Sequence, residues 1–239
     1  MGGEGFDDEK PKHRVDLSSY YMGKYPVTQE QWYAIAKATE LKVNIDLEPA
    51  PSYFIGGDRP VETASWYGCV ELCQRLSKLT GRNYTLPSEA QWEYACRAGT
   101  TTPFYFGETI ATGLANYNGN KTYGCGPKGV YKGETTPVYR FPANGFGLYD
   151  MHGNVWEWCA DDWHDNYNGA PNDGSDWLEY DLAYLAKNRQ DDSKSVLRGG
   201  SWSYYPDICR SAFRVLNSSR GNHDFYYGFR VVCVFGRNL

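Results

Sequence analysis

Helical periodicity stops at about residue 100 of this 239-residue chain. Before that point, apolar residues recur at the spacing of amphipathic helices. Beyond it, Gly, Asn, Thr, Pro and aromatic residues dominate, with frequent turn signals, and helical spacing returns only weakly at residues 177–187. We therefore expect helices in the N-terminal half and loops with short strands in the remainder.

Capping signals place three helices before residue 100. Thr28 and Ser88 each precede a Gln three residues later, which is the spacing of a capping box at a helix start. The helix between them begins near Ser65, runs through WYGCVELCQRLSKLT and ends at Gly81, since glycine readily adopts the left-handed conformation of a helix end. Because these signals are local, they define each helix without reference to the rest of the chain.

Extended structure is expected near both ends of the chain. Residues 13–27 are predicted to be extended. Two short strands around residues 210–215 and 228–235 bracket a polar and aromatic loop, which predicts a hairpin that displays this loop. No repeat or linker divides the sequence, so we expect residues 1–239 to form a single domain.

Charge and cysteine content exclude several classes of function. The net charge is −5 and no run of Lys or Arg occurs, so nucleic acid is excluded as a partner. No stretch of 18 apolar residues is present, which predicts no membrane span in this chain, and the N-terminal residues do not resemble a signal peptide. Seven cysteines without a CxxC pair favour neither a zinc site nor a dense disulfide framework.

Several phrases in the sequence occur together in one order. They are YPVTQEQW at 25–32, PVETASW at 60–66, LPSEAQWEYACRAGT at 86–100, NGFGLYDMHGNVWEWCADDW at 144–163, RGGSW at 198–202, and CRSAFR with GFRVV at 209–214 and 228–232. In these phrases the chain resembles the formylglycine-generating-enzyme (sulfatase-modifying-factor) family over nearly its whole length. The resemblance implies an α+β, C-type-lectin-like fold of the formylglycine-generating-enzyme type, rich in coil, with short antiparallel sheets and helices in the N-terminal half.

The oxidase chemistry of the family is not expected in this chain. The resemblance implies that its enzymes bind copper through two cysteines, five residues apart, after the RGGSW-like element, and two soft thiolates suit Cu(I). Tyr204 stands where the first of these cysteines would fall, and Cys209 aligns better beside the family's framework arginine than at the second position. A copper oxidase of substrate cysteine is therefore kept only as an alternative, and no catalytic residue is assigned.

A second branch of the family fits the C-terminal region better, namely the variable proteins of diversity-generating retroelements, of the kind found in Treponema. Such elements mutate template adenines, and the resulting codons never encode Lys, Glu, Gln, Met or Trp. Residues 203–227 contain none of these types, although they make up 40 of the 239 residues. The resemblance therefore implies a hypervariable ligand-binding segment at about residues 203–227, held by a framework formed by the rest of the chain.

The segment 203–227 combines Tyr and Ser with Gly, Asn and Arg, the composition of antibody-like binding surfaces. Its ligand-binding residues are expected to be Ser203, Tyr204, Tyr205, Asp207, Phe213, Val215, Asn217, Arg220, Asn222, His223, Asp224, Phe225, Tyr226 and Tyr227. The residues assigned to the scaffold instead are Ile208, Arg210, Ala212, Arg214 and Leu216. If the tyrosines project into solvent, replacing Tyr204, Tyr226 and Tyr227 with Ala should leave folding nearly unchanged. The alternative is an ordinary hairpin whose tyrosines pack on their neighbours.

The resemblance also implies a structural calcium site in the phrase YDMHGNVWEW. The ligands that it implies are the side chain of Asp150, the backbone oxygens of Gly153 and Val155, and the carboxylate of Glu157. Oxygen ligands of this kind are those that calcium prefers. The alternative is a purely structural motif in which Glu157 pairs with an arginine. No cofactor is expected to be required.

His152 and the acidic stretch at residues 160–176 could suggest a catalytic or metal-binding site. Turn-forming residues surround them, however, and no fixed ligand spacing is present. We therefore expect a solvated loop in this region.

The sequence and the resemblance together predict a monomer that binds an unknown ligand, a protein or another surface molecule, without altering it chemically. The resemblance places such a protein at the cell surface or outside the cell, with any lipid anchor lying outside this chain. A calcium-dependent carbohydrate-binding lectin is the remaining alternative, although the EPN or QPD triplet of such lectins is absent.

Overall fold

The computed structural model describes residues 1–189 and 194–234, apart from the side chains of residues 216–218. Its helices are α1 Gln29–Ala36, α2 Trp66–Thr80, α3 Glu89–Arg97 and α4 Leu182–Lys187. Its strands are β1 Tyr20–Met22, β2 Asn83–Thr85, β3 Trp156–Asp162, β4 Lys194–Arg198, β5 Arg214–Ser219, β6 Tyr227–Gly228 and β7 Val232–Val234. Short 3-10 helices lie at Asp7–Glu9, Thr39–Leu41 and Pro206–Cys209.

The predicted N-terminal helices are present at the predicted places. The Thr28 hydroxyl accepts the backbone N–H of Gln31 at 3.3 Å while the Gln31 side chain accepts that of Thr28 at 3.0 Å, so the capping box of α1 is complete. The same exchange caps α3 at Ser88. Gly81 ends α2 with a φ of +69°, a conformation that glycine adopts without a steric cost. None of the helices in the described residues is long and apolar enough to cross a membrane.

A three-stranded antiparallel sheet joins the two ends of the chain. Its strand order is β1-β7-β2, so the C-terminal strand β7 lies between two N-terminal strands. Tyr20 and Asn83 both pair with Val234 from opposite sides of β7. The predicted hairpin between residues 210–215 and 228–235 is therefore wrong, because β7 pairs with strands far away along the chain rather than with β5. Residue 235 of that prediction lies outside the described residues.

The second sheet has the strand order β5-β4-β3-β6. Strands β5, β4 and β3 are antiparallel, whereas β6 runs parallel to β3 with Trp156 opposite Tyr227. This parallel pair is an exception to the expected antiparallel sheets. It places β5, within the segment 203–227, and β6, at the end of that segment, on the two edges of one sheet.

Tryptophans fill much of the core between the helices and the second sheet. Trp66 of α2, Trp92 of α3, and Trp156 and Trp158 of β3 are fully buried. The main apolar cluster joins α1, α2 and β3 with Phe229, which follows β6. Packing therefore explains a large part of the aromatic content, and the aromatic residues at the surface remain to be explained.

Residues 98–155, all of them described, contain no helix or strand apart from isolated bridges. Buried amide side chains hold this long region in place of a regular sheet. Asn154 Nδ2 donates to the carbonyl of Thr136 at 3.0 Å, and its Oδ1 accepts the Thr136 N–H at 2.9 Å. The expectation of loops with short strands after residue 100 is confirmed, with α4 as a short helix in the region of weak periodicity.

His152 is buried, which corrects the expectation that it lies in a solvated loop. Its Nδ1 lies 2.7 Å from the carbonyl oxygen of Cys209, and its Nε2 accepts the backbone N–H of Tyr105 at 3.0 Å. Because that N–H can only donate, the ring proton lies on Nδ1 and donates to Cys209. Burial lowers the pKa of His152 to about 3, so the ring stays neutral and links Tyr105 to the segment 203–227.

Candidate functional site

The segment 203–227 follows the RGGSW phrase, forms the 3-10 helix Pro206–Cys209, continues as β5 and returns through a loop to β6. Its backbone is bonded to the framework on both sides of the 3-10 helix. The Asn118 N–H donates to the carbonyl of Tyr204 at 2.9 Å, and the N–H of Ser211 donates to the carbonyl of Pro103 at 2.8 Å. Because these bonds use main-chain atoms of the segment, they do not depend on which side chains the segment carries.

The returning loop, residues 220–227, is held in the same way. The Thr63 N–H donates to the carbonyl of Asp224 at 2.9 Å, and the Trp156 N–H donates to that of Tyr226 at 2.8 Å. Thr63 has a φ of +63°, a strained conformation that costs a β-branched residue about 1–3 kcal/mol. The framework therefore holds a strained residue where it binds the loop.

Arginines inside the segment bind it to buried carboxylates of the framework. Arg210 lies 2.5 and 3.0 Å from the two oxygens of Glu9, and Arg214 lies 2.6 and 2.9 Å from those of Glu89. All four side chains are buried. The structure therefore agrees with the assignment of Arg210 and Arg214 to the scaffold.

Arg220 is buried as well, which corrects the prediction that it contacts a ligand. It is 1% exposed, pairs with Asp162, and donates to Ser195 Oγ at 2.8 Å. Its guanidinium also lies 4.6 Å from the ring centroid of Trp66, a distance at which the cation and the ring attract each other. Arg220 is therefore a third anchor of the segment rather than part of its surface.

Four aromatic side chains of the segment form a row, which we call the aromatic row: Tyr204, Phe225, Tyr226 and Tyr227. The ring centroid of Tyr226 lies 5.5 Å from that of Tyr204, 5.1 Å from that of Phe225 and 4.9 Å from that of Tyr227. The row thus brings together aromatic residues from the two ends of the segment.

The predicted ligand-binding residues differ in their exposure. The exposed ones are Asp207, Asn222, His223 and Phe225. The half-buried ones are Ser203, Tyr204, Tyr205, Phe213, Val215, Asp224, Tyr226 and Tyr227. The side chain of Asn217 lies outside the described residues, as does that of the scaffold residue Leu216. A ligand can therefore reach most of the predicted residues, although many of them offer only one side.

The tyrosines of the aromatic row also pack against the core. Tyr204 and Tyr227 contact the two tryptophans of β3, with ring centroids 5.5 and 5.3 Å apart. Burial raises the pKa of Tyr226, and hydrogen bonds with Asp224 and Tyr204 raise it further, so its hydroxyl stays protonated. The expectation that these tyrosines project freely into solvent is thus met only in part.

Aromatic residues outside the segment extend the row, and the sequence analysis missed them. Phe54 lies 5.2 Å from Trp202 and 6.5 Å from Phe225, and Tyr53 lies 5.9 Å from Phe225. Tyr131 stacks on Trp202 at 6.0 Å. The stretch APSYFIGG, where apolar side chains stand among turn-forming residues, is the signal that could have identified part of this surface.

Tyr204, at the position of the first copper cysteine, and the nearby thiol of Cys209 do not form a two-thiolate site. Cys209 is fully buried, and burial raises the pKa of its thiol, whereas the thiolate is the form that binds metals. Tyr204 offers no sulfur. Across the described parts of the chain, no group of three or more His, Cys, Asp or Glu side chains is arranged to hold a metal ion.

The residues of the predicted calcium site do not fit that ion as a set. Both oxygens of Glu157 are engaged, since Arg230 Nε and Nη2 lie 2.7 Å from them and Trp92 Nε1 lies 2.6 Å from one. A cation beside the buried Arg230 guanidinium would be repelled. Asp150, in contrast, has one buried oxygen without a partner, while the other lies 3.5 Å from Asn154 Nδ2. Glu157 is therefore corrected from a calcium ligand to the ion-pair partner of the structural alternative.

Gly153 and Val155, the predicted backbone ligands of calcium, lie in the turn that enters β3. Gly153 has a φ of +82°, and an added Cβ would overlap the carbonyl oxygen of Asn116. Its N–H donates to the carbonyl of Gly199 at 2.7 Å. The backbone conformation and the close carbonyl therefore explain why a glycine occupies position 153, without a role for a metal ion.

Asp150 is expected to make stability depend on pH. Burial raises the pKa of its carboxyl to about 8, from 3.8, so the folded state binds the proton more tightly and stability falls as the pH rises toward 8. His152 has the opposite effect, but its contribution is complete above about pH 6.5. Between about pH 6.5 and 8 we expect urea unfolding to show a loss of about 1–2 kcal/mol in the free energy of unfolding, absent from Asp150→Asn.

Asparagine suits this substitution because Asp150 has a φ of +55°, which asparagine tolerates. Asp46→Asn, on an exposed residue, is the matched control and should keep the natural pH profile. The same samples test the calcium prediction, and we expect no stabilisation by added calcium because Glu157 is engaged. A calcium-dependent rise in melting temperature that disappears in Asp150→Asn would contradict this conclusion.

Comparison with known proteins finds one matching family, whose members that resemble this chain carry several different names. It matches the model of the sulfatase-modifying factor enzyme 1-like domain over residues 1–234. It is 36% identical to a formylglycine-generating enzyme of Mycobacterium tuberculosis, with 95% of this chain and 91% of that protein covered. It is 31% identical to serine/threonine-protein kinase pkn1 of Chlamydia caviae over 95% of this chain, but it spans only 35% of the length of that relative.

Two solved structures are similar over most of the chain. PvdO from Pseudomonas aeruginosa has a TM-score of 0.78 and 35% identity, with 95% of this chain and 85% of that chain covered. Treponema denticola variable protein 1 has a TM-score of 0.75 and 27% identity, with 97% and 90% covered. The predicted α+β, C-type-lectin-like fold of the formylglycine-generating-enzyme type is confirmed. With the family match over residues 1–234, the chain therefore belongs to the sulfatase-modifying-factor (formylglycine-generating-enzyme) family.

Proposed function

We propose that the chain is a non-catalytic ligand-binding protein whose residues 203–227 display a surface diversified by a retroelement. The observation that carries this proposal is the attachment of the segment, through its own backbone and through buried arginines such as Arg214 and Arg220. Side chains between these anchors reach solvent, so they can change while the anchors remain. Similarity to a Treponema denticola variable protein over 97% of this chain supports the proposal.

The aromatic row supplies most of the affinity in this proposal. Phe225 is 41% exposed, and each tyrosine of the row offers one side to a ligand while the core holds the other. A ring that is already held loses little rotamer freedom on binding, which favours affinity. The exposed polar residues Asn222 and His223, which precede Phe225 in the chain, provide groups for hydrogen bonds with the ligand.

The proposed ligand is a protein or another surface molecule, and the proposed binding unit is a monomer at the cell surface or outside the cell. These parts of the proposal rest on the resemblance to variable proteins. In the same proposal calcium is not needed for binding, because the Glu157 carboxylate pairs with Arg230 instead.

A copper oxidase of substrate cysteine is the second candidate, because a formylglycine-generating enzyme is 36% identical over 95% of this chain. Tyr204, at the position of the first copper cysteine, supplies no thiolate, and the thiol of Cys209 is fully buried, so both argue against it. We expect no aldehyde on a cysteine-containing peptide incubated with the chain, copper and oxygen. Aldehyde formation above a control without the chain would contradict a non-catalytic role.

Sequencing the same locus from several isolates tests the proposed function. We expect differences at exposed and half-buried positions of residues 203–227. Arg210, Arg214 and Arg220 should stay the same, because each neutralises a carboxylate of the framework. Differences spread evenly over the chain, or loss of these arginines in some copies, would show that the segment is not a diversified surface on a constant framework.

Replacing Tyr204 or Tyr227 with Ala is expected to lower the free energy of unfolding by about 1–2 kcal/mol each, since about half of a large aromatic side chain leaves the core. This corrects the expectation that such changes leave folding nearly unchanged. Ser203→Ala is the control and should stay within about 0.5 kcal/mol of the natural chain in urea unfolding. A loss of about 4 kcal/mol or more would mean that these tyrosines belong to the core and are closed to a ligand.

A further inference from the structure

Loop 52–57, beside the aromatic row, holds apolar side chains in solvent. Ile55 and Tyr53 are 77% and 72% exposed, the highest values for large apolar side chains among the described residues. Phe54 between them is half-buried. Exposed apolar area contributes nothing to folding, so a contiguous group of such side chains marks a candidate contact surface.

Polar side chains hold the backbone of this loop. The fully buried Glu62 accepts the N–H of Phe54 at 2.8 Å. Gln29 bonds the loop twice, since its Nε2 donates to the carbonyl of Phe54 at 2.7 Å and its Oε1 accepts the N–H of Gly56 at 3.0 Å. The hydroxyl oxygen of Ser52 accepts the N–H of Glu62 at 3.1 Å. The loop backbone is therefore organised before any ligand binds, and this lowers the entropy cost of a contact.

The loop is continuous with the aromatic row. Tyr53 and Phe54 both contact Phe225, and Phe54 also contacts Trp202 of the RGGSW phrase. Loop 52–57 and Trp202 belong to the framework, whereas Phe225 belongs to the segment. A ligand on the row therefore lies beside side chains that do not change with the segment.

An apolar pocket of about 230 Å³ lies between this loop and α1, lined by Trp32, Tyr33, Pro49 and Ile55 among others. Pockets that take a whole small molecule measure about 300–1,000 Å³, so this one has room for a part of a larger ligand, such as one side chain of a protein. Glu30 also lines the pocket and is exposed. Its carboxylate makes no hydrogen bond or ion pair with the described residues.

We propose that loop 52–57, the adjoining pocket and Glu30 form a constant docking surface for a protein ligand. The ligand inserts one apolar side chain beside Ile55 and places a Lys or Arg opposite Glu30. Charge complementarity is the reason for the basic residue, because the Glu30 carboxylate stands at an apolar rim without a cation from the described part of the chain. This inference rests on the proposed ligand-binding role and adds a part of the surface that stays the same in every copy.

Selection of phage-displayed random peptides on the natural chain tests the inference. We expect the enriched peptides to carry an apolar residue next to Lys or Arg, and to bind about tenfold more weakly to Ile55→Ser and to Glu30→Gln. Leu79→Ser is the matched control, since Leu79 is 57% exposed at the end of α2, outside the lining of the pocket. Its affinity for the peptides should equal that of the natural chain. Melting curves of the three variants should match that of the natural chain.

Each other outcome overturns the inference. If peptide binding is weakened only by Phe225→Ala or Tyr226→Ala, the docking surface is wrong while the proposed function stands. The docking surface is also wrong if no peptide is enriched, or if the enriched peptides bind all of the variants as tightly as the natural chain. Binding of glycans in place of peptides would contradict it as well. The proposed function is judged separately by sequencing the locus, where Tyr53, Ile55 and Glu30 should not vary.

Discussion

Replacing Glu157 with Gln is expected to lower the free energy of unfolding by about 3–5 kcal/mol. The Glu157 carboxylate forms two bonds of 2.7 Å with Arg230, and both side chains are fully buried. The substitution leaves the guanidinium charge in the core without a counter-charge. The amide also has one acceptor oxygen where the carboxylate has two, so its NH2 group, which can only donate, takes the place of an oxygen that accepts from Arg230 or Trp92. Denaturation in guanidinium chloride measures the change as a lower midpoint with an unchanged slope.

Two further variants make this result specific. Asp46→Asn removes a surface ion pair with Lys42 and should cost no more than about 1 kcal/mol. The double variant Glu157→Leu with Arg230→Met removes both charges and should recover much of the lost stability, because apolar groups of similar volume can replace a buried ion pair. A single variant as stable as the natural chain would mean that the pair does not form as described.

Replacing Arg220 with Met is expected to cost about 3 kcal/mol of stability. The guanidinium pairs with Asp162, bonds Ser195 and lies over Trp66, and the Met side chain restores only part of the packing. We expect a loss of stability at the lower end of the range for breaking a buried ion pair. The reason is that the Asp162 side chain is 17% exposed, so water can solvate part of the carboxylate left behind.

The neighbours Asn222 and His223 provide the contrast to Arg220. Both are exposed, and their replacement with Ala should change the free energy of unfolding by no more than about 0.5 kcal/mol. Urea unfolding of the three variants side by side therefore separates an anchor of the segment from its surface. If Arg220→Met were as stable as Asn222→Ala, Arg220 would belong to the ligand-binding surface, as the sequence alone predicted.

The helices were predictable because their signals are short-range. In α1 and α3, the Ser or Thr and the Gln that complete each capping box lie three residues apart, so no distant contact is needed to form them. The framework phrases were equally informative about the family, and the missing residue types pointed to residues 203–227 as the segment that we propose to vary.

Strand pairing was not predictable in the same way. β7 has an apolar, extended sequence that fits a hairpin with β5 as well as it fits any other partner. Its actual partners, β1 and β2, come from the first part of the chain. Local propensity says that a strand forms, but not which strand it pairs with, because pairing depends on how the helices between them pack.

The roles of charged side chains were the least predictable from the sequence. Arg220 lies 58 positions from Asp162, and Arg230 lies 73 positions from Glu157. An arginine looks the same in the sequence whether it is solvated or paired in the core, so only the position of the carboxylate in space assigns its role.

Sequence patterns alone established the helices, the family and the location of the candidate variable segment, since each follows from neighbouring residues or from residue types. Folding in three dimensions decided which residues of that segment are anchors, and it brought Tyr53 and Phe54 beside Phe225. The physical reason is that burial and contact depend on residues distant along the chain, which no local pattern records.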